Sequence, residues 1–427
     1  MAPQENFTST LIFTPSVIIA PTMAKLNHHY TKLIGNYLFQ EIEKKAAAFR
    51  KKFPNAELIN LGIGDISRPL TPTIVAALES ACREMGSANT FKGYGPSQGY
   101  SFLRDAIAEN EYKGLPISSD EIFISDGAKN DIANLQEIFD VDNKVAMPDP
   151  TYPVYIDTNV MAGRTRPILK NGGYGGIVYL PCTEKNQFTP DLPNRPCDLI
   201  YLCSPNNPTG VAMDKENLKK WVNYARENKA VILFDGAYEA YIRSPNCPRS
   251  IYEIEGATEV AIEIRSFSKT AGFTGLRCSY TIVPKALKLL EGRQWISLHD
   301  LWKRRHDTKF NGVSYPVQKA AAAVYSKKGK EEVKAQIDSY LEQADLLLKT
   351  LAKGGFKAYG GIDAPYVWVK APADASSWHF FDYLLEKTHI ISIPGSGFGS
   401  AGEGFVRLST FGQPSALAEA AKRLIRI

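Results

Sequence analysis

Glu263-Ile-Arg-Ser-Phe-Ser-Lys-Thr-Ala-Gly-Phe-Thr-Gly-Leu-Arg277 is the stretch on which the reading of this chain turns. A β-branched run leads into two serines, one lysine, a turn loosened by glycine and an arginine eight positions after the lysine. Serine hydroxyls, backbone N–H groups and a guanidinium beside one lysine describe an anion site with an amine in its mouth. A phosphate-bearing aldehyde suits such a site, the lysine forming an imine while the donors around it hold the phosphate. By itself the segment is equally readable as a solvated surface turn, so the remaining parts have to be found elsewhere in the chain.

Composition sets the frame. The 427 residues, 44% hydrophobic and 22% charged, can bury a substantial core in one large domain with a smaller one, or in two of ordinary size. A formal net charge of +5, with the basic residues spread out, demands no nucleic acid as partner and leaves room for a locally basic site facing an acidic substrate. Cys82, Cys182, Cys197, Cys203, Cys247 and Cys278 include no Cys-x-x-Cys pair and no adjacent histidine pattern. They read as reduced, mostly core thiols of a cytoplasmic-type compartment, with neither a metal site nor a disulfide framework. No apolar run approaches the roughly 18 residues of a membrane helix. Leu11 to Ala20 is apolar but lacks a basic flank, since no Lys or Arg precedes Lys25. Residues 1–23 therefore read as a disordered extension or as a start placed upstream of Met23, with an atypical targeting segment as the other reading.

Along the chain, Leu38, Ile42, Ala46 and Phe49 recur at helical spacing from Tyr37 onward, with Pro54 marking the end. Leu58 to Asp65 predicts a buried strand that breaks at Gly62 and Gly64, where backbone can approach a ligand closely. A helix over Thr71 to Met85 is followed by the Gly93-Tyr-Gly-Pro-Ser-Gln-Gly99 loop, where Tyr94 is either structural or a hydroxyl on offer. Strands are predicted at Ile122 to Ser125, Lys144 to Met147, Leu199 to Cys203, Ala230 to Phe234, Val260 to Arg265 and Ser279 to Val283. Helical patterns such as Asp131 to Phe139 and Lys215 to Asn228 lie between them. Near-continuous apolar strands alternating with helices predict a three-layer α/β domain with a mostly parallel sheet covered on both faces. Ligands of such folds gather outside the carboxyl ends of the strands.

The candidate residues sit at those ends. In Ser125-Asp-Gly-Ala-Lys129 the N–H groups of a helix start, at Gly127, Ala128 and Lys129, would face an anion. Asp149-Pro-Thr-Tyr-Pro153 brings Tyr152 to the same rim, for a planar ring or for packing. Cys203-Ser-Pro-Asn-Asn-Pro-Thr-Gly210 fixes Asn207 as a donor, or as a turn asparagine. Asp235 ends the very apolar Val231-Ile-Leu-Phe strand, where an unpaired carboxylate is costly and a protonated pyridine nitrogen is a suitable partner. Tyr238, three residues on, can reach the neighbouring ring oxygen. From Lys285 the pattern changes to long helical stretches, including Lys330 to Lys353, interrupted by Phe310-Asn-Gly-Val-Ser-Tyr315. Strands follow around Pro365 to Val369 and Gly404 to Ser409, with a helix over Trp378 to Lys387 between them. Arg407 on the last strand points at a carboxylate, unless alternation exposes it at an edge.

Asn207, Asp235, Tyr238, Lys269, Arg277 and Arg407, in that order and on those strand ends, resemble the pyridoxal-phosphate aminotransferases of the aspartate aminotransferase fold, from Ala24 onward. Within them the chain is most similar to the LL-diaminopimelate aminotransferases. The likeness rests on Leu61-Gly-Ile-Gly-Asp65, Ser125 to Lys129, Cys203 to Gly210, Phe267-Ser-Lys with Ala271-Gly-Phe-Thr-Gly275, Ala364 to Val369, and Pro394-Gly-Ser-Gly-Phe-Gly with Gly402 to Arg407. The resemblance implies fold type I: a large cofactor domain over residues 66–310 and a small α+β domain made from both chain ends, residues 24–65 and 311–427. It implies a homodimer with shared active sites and a place in lysine biosynthesis, in the cytoplasm, or in a plastid for a photosynthetic eukaryote. Lys269 would bond pyridoxal phosphate and move the Cα proton, and Asp235 would keep the ring nitrogen protonated. Asn207 and Tyr238 would bind the phenolic oxygen, with Tyr152 covering the ring. Ala128, Lys129, Ser266, Ser268 and Arg277, with Tyr94 from the partner, would hold the phosphate. Arg407 would fork the α-carboxylate. Tyr37, Gly64, Lys129 and Asn311 would meet the distal end of the substrate, Asn311 also bordering the cofactor, and Tyr152 and Asn207 would touch the substrate too. Members of the family often carry a glutamate where this chain has Ser97, in a position tied to the distal amino group. An aminotransferase for aspartate or an aromatic amino acid, a pyridoxal-dependent C–S lyase and a non-catalytic regulator remain as alternatives.

Overall fold

The apolar runs become the centre of a sheet. A computed structural model describes residues 24–33, 37–169 and 173–426, the side chain of Tyr37 excepted, and the expected extension at residues 1–23 lies outside them. Among the described residues, β1 (Ile122–Ser125), β2 (Val145–Asp149), β3 (Ile177–Pro181), β4 (Leu199–Cys203), β5 (Val231–Asp235), β6 (Ala261–Ser266) and β7 (Ser279–Ile282) form one sheet in the order β1-β7-β6-β5-β4-β2-β3. Only β7 runs against its neighbours.

Alternation within each apolar run serves two cores at once. Ile200, Leu202, Ile232 and Phe234 pack on one face with Leu103, Leu218 and Trp221 from the helices Ser101–Glu111 and Lys215–Asn228. Leu199, Tyr201, Val231 and Leu233 pack on the other with Tyr155, Leu298 and Trp302. Each large apolar side chain so buried contributes about 1.5–3 kcal/mol, which is why both faces of these strands carry no polar stripe.

A second sheet of β8 (Ala358–Gly360), β9 (Tyr366–Lys370), β10 (Ile393–Pro394) and β11 (Phe405–Ser409) is antiparallel throughout, in the order β8-β9-β11-β10. The helix Tyr37–Lys52 packs Ile42, Ala46 and Phe49 into one cluster with Trp368, Phe381 and Leu385. Ile59–Asn60 pairs in parallel with Ile390–Ile391. Arg407 is therefore on an inner strand and 4% exposed, and the edge-strand alternative falls away.

Three expectations need correction, and one strand was not expected. The Leu58 to Asp65 strand is confined to Ile59–Asn60, because the backbone past Leu61 leaves the ladder for the cavity described below. The helix expected to open at Gly127 to Lys129 does so, at Ala128, but the α-helix ends at Asn134 and tightens into a 3₁₀ turn over Leu135–Ile138 instead of continuing to Phe139. The stretch after Lys285 is not helical at first: Lys288–Glu291 and Gln294–Ser297 form a hairpin around Gly292, whose φ of 59° suits the tight turn. Strand β3 carries no expectation at all, since the glycine-rich segment before it hides its start.

Candidate active site

A cavity of about 570 Å³ opens at the carboxyl ends of β4, β5 and β6 and is closed on its other side by β9 and β11. It gathers Ala128, Lys129, Tyr152, Asn207, Asp235, Tyr238, Ser266, Ser268, Lys269 and Arg277 from the large sheet's loops, with Gly64 and Arg407 opposite. Tyr94, 90% exposed, and the exposed Asn311 are not brought to it within one chain. Tyr37 opens the first long helix, but its side chain lies outside the described residues. A wider hollow of about 790 Å³ beside the Lys288–Ser297 hairpin holds none of the predicted groups and has no comparable chemistry.

Lys269 follows β6 in the short helix Phe267–Ala271, started by the Ser266 hydroxyl, which accepts from the Ser268 N–H at 3.1 Å. Its Nζ donates to the Gly64 carbonyl and stands 3.8 Å from Asp65 Oδ1. Burial pushes its ammonium down to about 8; Asp65 opposes this, while Arg407, Arg277 and Lys129 add to it. The result is an amine that sheds its proton near working pH.

Asp235 is buried, and burial raises its pKa. Tyr155 donates to its Oδ2 at 2.6 Å and the Ala237 N–H to its Oδ1 at 2.9 Å, which favours the ionised form. No cation pairs with it among the described residues. A buried carboxylate with two neutral donors and an open cavity before it fits a protonated ring nitrogen.

Arg407 reaches in from β11. Nη1 donates to Asn207 Oδ1 at 2.7 Å and Nη2 to the Gly62 carbonyl at 3.0 Å, while Nε has no acceptor. Its guanidinium lies 4.4 Å from the Tyr366 ring centroid and 5.0 Å from that of Phe398. No carboxylate faces this buried charge among the described residues, so an anion has to come from outside. The same hydrogen bond turns the Asn207 amide so that its NH₂ is the end left to donate.

At the far end of the cavity Gly127, with φ of 139°, lets Arg277 pass: a Cβ there would collide with the guanidinium. Arg277 Nη1 touches only the Thr274 carbonyl, at 3.1 Å, and no acidic group pairs with it among the described residues. With Ser266, Ser268, Lys129 and the N–H groups opening the Ala128–Asn134 helix, this is a donor set without an acceptor, matched to a phosphate.

Three contributors escape sequence reasoning. Tyr155, which holds Asp235, lies one helical turn from Tyr152, and that spacing is the available signal. Tyr366 bonds the Tyr238 hydroxyl at 2.8 Å and carries Arg407 on its ring. Asp65 faces Lys269 from a loop whose glycines draw attention away from it. Ser97 donates to Asp307 Oδ1 at 2.5 Å, and Asp307 pairs with Lys303, so a carboxylate stands next to the loop that lacks the family's glutamate.

Residues 56–424 match the family described as aminotransferase class I and II. The chain is similar to the LL-diaminopimelate aminotransferase of Desulforapulum autotrophicum, at 56% identity over 392 residues, 91% of this chain and 95% of that one. It is 50% identical over 406 residues to that of Methanosphaera stadtmanae, 94% of this chain and 99% of the other. Among solved structures, L,L-diaminopimelate aminotransferase from Chlamydomonas reinhardtii superposes with a TM-score of 0.88 at 45% identity, covering 95% of this chain and 98% of that one. With a lysine of lowered proton affinity, a buried carboxylate and a buried arginine that has no acidic partner among the described residues in one cavity, and with relatives of this similarity along nearly its whole length, the chain belongs to the class I and II aminotransferases and, within them, to the LL-diaminopimelate aminotransferase family.

Proposed function

We propose that the protein transfers an amino group between LL-2,6-diaminopimelate and 2-oxoglutarate, giving tetrahydrodipicolinate and glutamate, with pyridoxal phosphate held in the cavity. The observation that carries this reading is Arg407: a buried guanidinium with a vacant Nε–H, no acidic partner among the described residues, and a neutralisable lysine in the same cavity. Pyridoxal phosphate supplies, when bound, an aldehyde for an amine to bond and a protonated ring that stores an electron pair.

The chain's own groups divide the work. Arg407 forks the α-carboxylate and so presents Cα to the lysine. Lys269, its proton affinity lowered to about 8, takes the Cα proton and returns one. Asp235, which accepts from Tyr155 and the Ala237 N–H, would hold the ring proton in place. The Asn207 NH₂ and the Tyr238 hydroxyl would hold the phenolic oxygen, Tyr152 would cover the ring, and Arg277, Ser266 and Ser268 would anchor the phosphate with Ala128 and Lys129. Gly64 and Lys129 border the distal end of the substrate; Tyr37, Tyr94 and Asn311 complete the site, with Tyr94 coming from a second copy in a homodimer.

The test is an absorbance scan of the cofactor-loaded protein during addition of LL-diaminopimelate, with meso-diaminopimelate and aspartate in parallel samples. Loss of the visible cofactor band with the LL isomer, and glutamate formed once 2-oxoglutarate follows, supports the reading and shows that Ser97 is tolerated. No response to LL-diaminopimelate, with conversion of aspartate or an aromatic amino acid instead, refutes the substrate; pyruvate released without any keto acid points to the lyase.

A further inference from the structure

Behind the cavity lies a buried knot of charge that none of these steps uses. Arg265, one residue before Ser266 on β6, is 1% exposed. Its Nε donates to Glu263 Oε1 at 2.7 Å and its Nη2 to the Arg249 carbonyl at 2.8 Å, while Nη1 faces Glu239 at 3.2 Å and Glu111 at 3.5 Å. Glu263, 0% exposed, is saturated in turn: Tyr112 donates at 2.6 Å, the Ser250 hydroxyl at 2.7 Å and the Ile251 N–H at 3.0 Å. Burial and the nearby Glu239 push Glu111 up to about 7, so the third carboxylate near this guanidinium is about half protonated at neutral pH.

Ion groups this dry are a poor way to add stability, because apolar residues of the same size serve as well. What they do is specify geometry, and here the geometry is that of the site. Glu239 directly follows Tyr238, and Arg265 directly precedes the Ser266-to-Lys269 turn. Asp235 pairs with Ile264 across β5 and β6, and the Gly236 N–H donates to the Ile264 carbonyl at 2.9 Å. The Arg265 side chain lies flat across Gly236: a Cβ there would stand 3.3 Å from its Cδ and Nε. Alternation puts Glu263 and Arg265 on the face of Tyr112, while Asp235 meets Tyr155 on the other. One guanidinium therefore braces both turns from behind the sheet.

We propose that Arg265 is a positioning residue for the reaction, fastening the Asp235-to-Tyr238 turn to the Ser266-to-Lys269 turn so that carboxylate and lysine keep their mutual placement. The inference rests on the reading of Asp235 and Lys269 as partners of one cofactor. Small misplacements of such groups are expensive in rate.

The experiment compares the cofactor-loaded parent with Arg265→Lys, which keeps a charge but loses the fork, and with Glu239→Gln, which keeps the volume but loses the charge. Circular dichroism reports folding; kcat, KM for the amino donor and the pH midpoint of the visible absorbance band report the site. The expected result is a kcat lowered about tenfold or more in Arg265→Lys, with KM within about twofold and a midpoint displaced by about half a unit. Glu239→Gln moves kcat and midpoint in the same direction by less, and decides the matter alone if Arg265→Lys does not fold. Variants that melt earlier but keep the parent's kcat and midpoint overturn the proposal, since they show bracing of the fold and nothing more. A parent whose band ignores every amino donor refutes the cofactor reading itself, a separate failure.

Discussion

Lys269 shows how one residue trades stability for reactivity. Its ammonium, ordinarily at 10.5, is held at about 8 mainly by burial. An unfolded chain thus binds more protons between those values, so the folded state gains stability as pH rises through the window, and at neutral pH the buried charge is a burden of about 3 kcal/mol. Lys269→Met is expected to lower turnover by about 10⁴ or more, while the cofactor-free variant melts at a higher temperature than the cofactor-free parent at pH 7. Calorimetry of both, stripped of cofactor, checks this; a lower melting temperature would show that the lysine's bond to the Gly64 carbonyl outweighs its desolvation. Asp235 was legible because a carboxylate after Val-Ile-Leu-Phe has nowhere to hide its charge. Tyr155 was not, because a tyrosine early in a helix is ordinary core until its hydroxyl is seen to meet that carboxylate.

Elements carry the pH behaviour. Glu111 closes the helix Ser101–Glu111 with its pKa raised from 4.5 to about 7, so its contribution is fully present below 4.5 and is lost as pH rises through 7. His306, buried among rings on the helix Leu298–Lys309, is lowered from 6.5 to about 4 and acts oppositely: its contribution is lost as pH falls through that range. The two slopes cancel in part. Glu111→Gln, with no proton to lose, is expected to unmask the acid-side loss, giving a melting temperature that drops more steeply below pH 6.5 than the parent's. Parallel curves for parent and variant would show that Glu111 is ionised throughout. Elements were legible where their signal was local. The helix Lys215–Asn228 starts at the Asp214 cap, which accepts from the Asn217 N–H at 2.8 Å, and the buried strands announce themselves by composition. The Lys288–Ser297 hairpin was not, since its half-exposed strands mix lysine, glutamate and glutamine with leucine in the manner of a surface helix.

At the scale of the whole molecule the site is shared between two sheets, and on our reading between two copies. Tyr94, exposed to 90% in one chain, is expected to complete the neighbour's cavity. Co-expressing Tyr94→Phe with Lys269→Met chains then recovers about a quarter of parental turnover, since half the dimers carry one site intact, although each variant alone is impaired. Activity of the mixture equal to the mean of the two pure variants would place Tyr94 in its own chain's site. Such contributions resist sequence reasoning because a loop tyrosine looks the same whether it faces water or another subunit. Arg407 draws the scales together. Through Asn207 it joins the small sheet to the loop after β4, and through the same guanidinium it awaits a carboxylate. Recognition and cohesion thus hang on one side chain. Over evolutionary time, any replacement there is judged twice, once for the hold it keeps between the two sheets and once for the charge it offers the cavity.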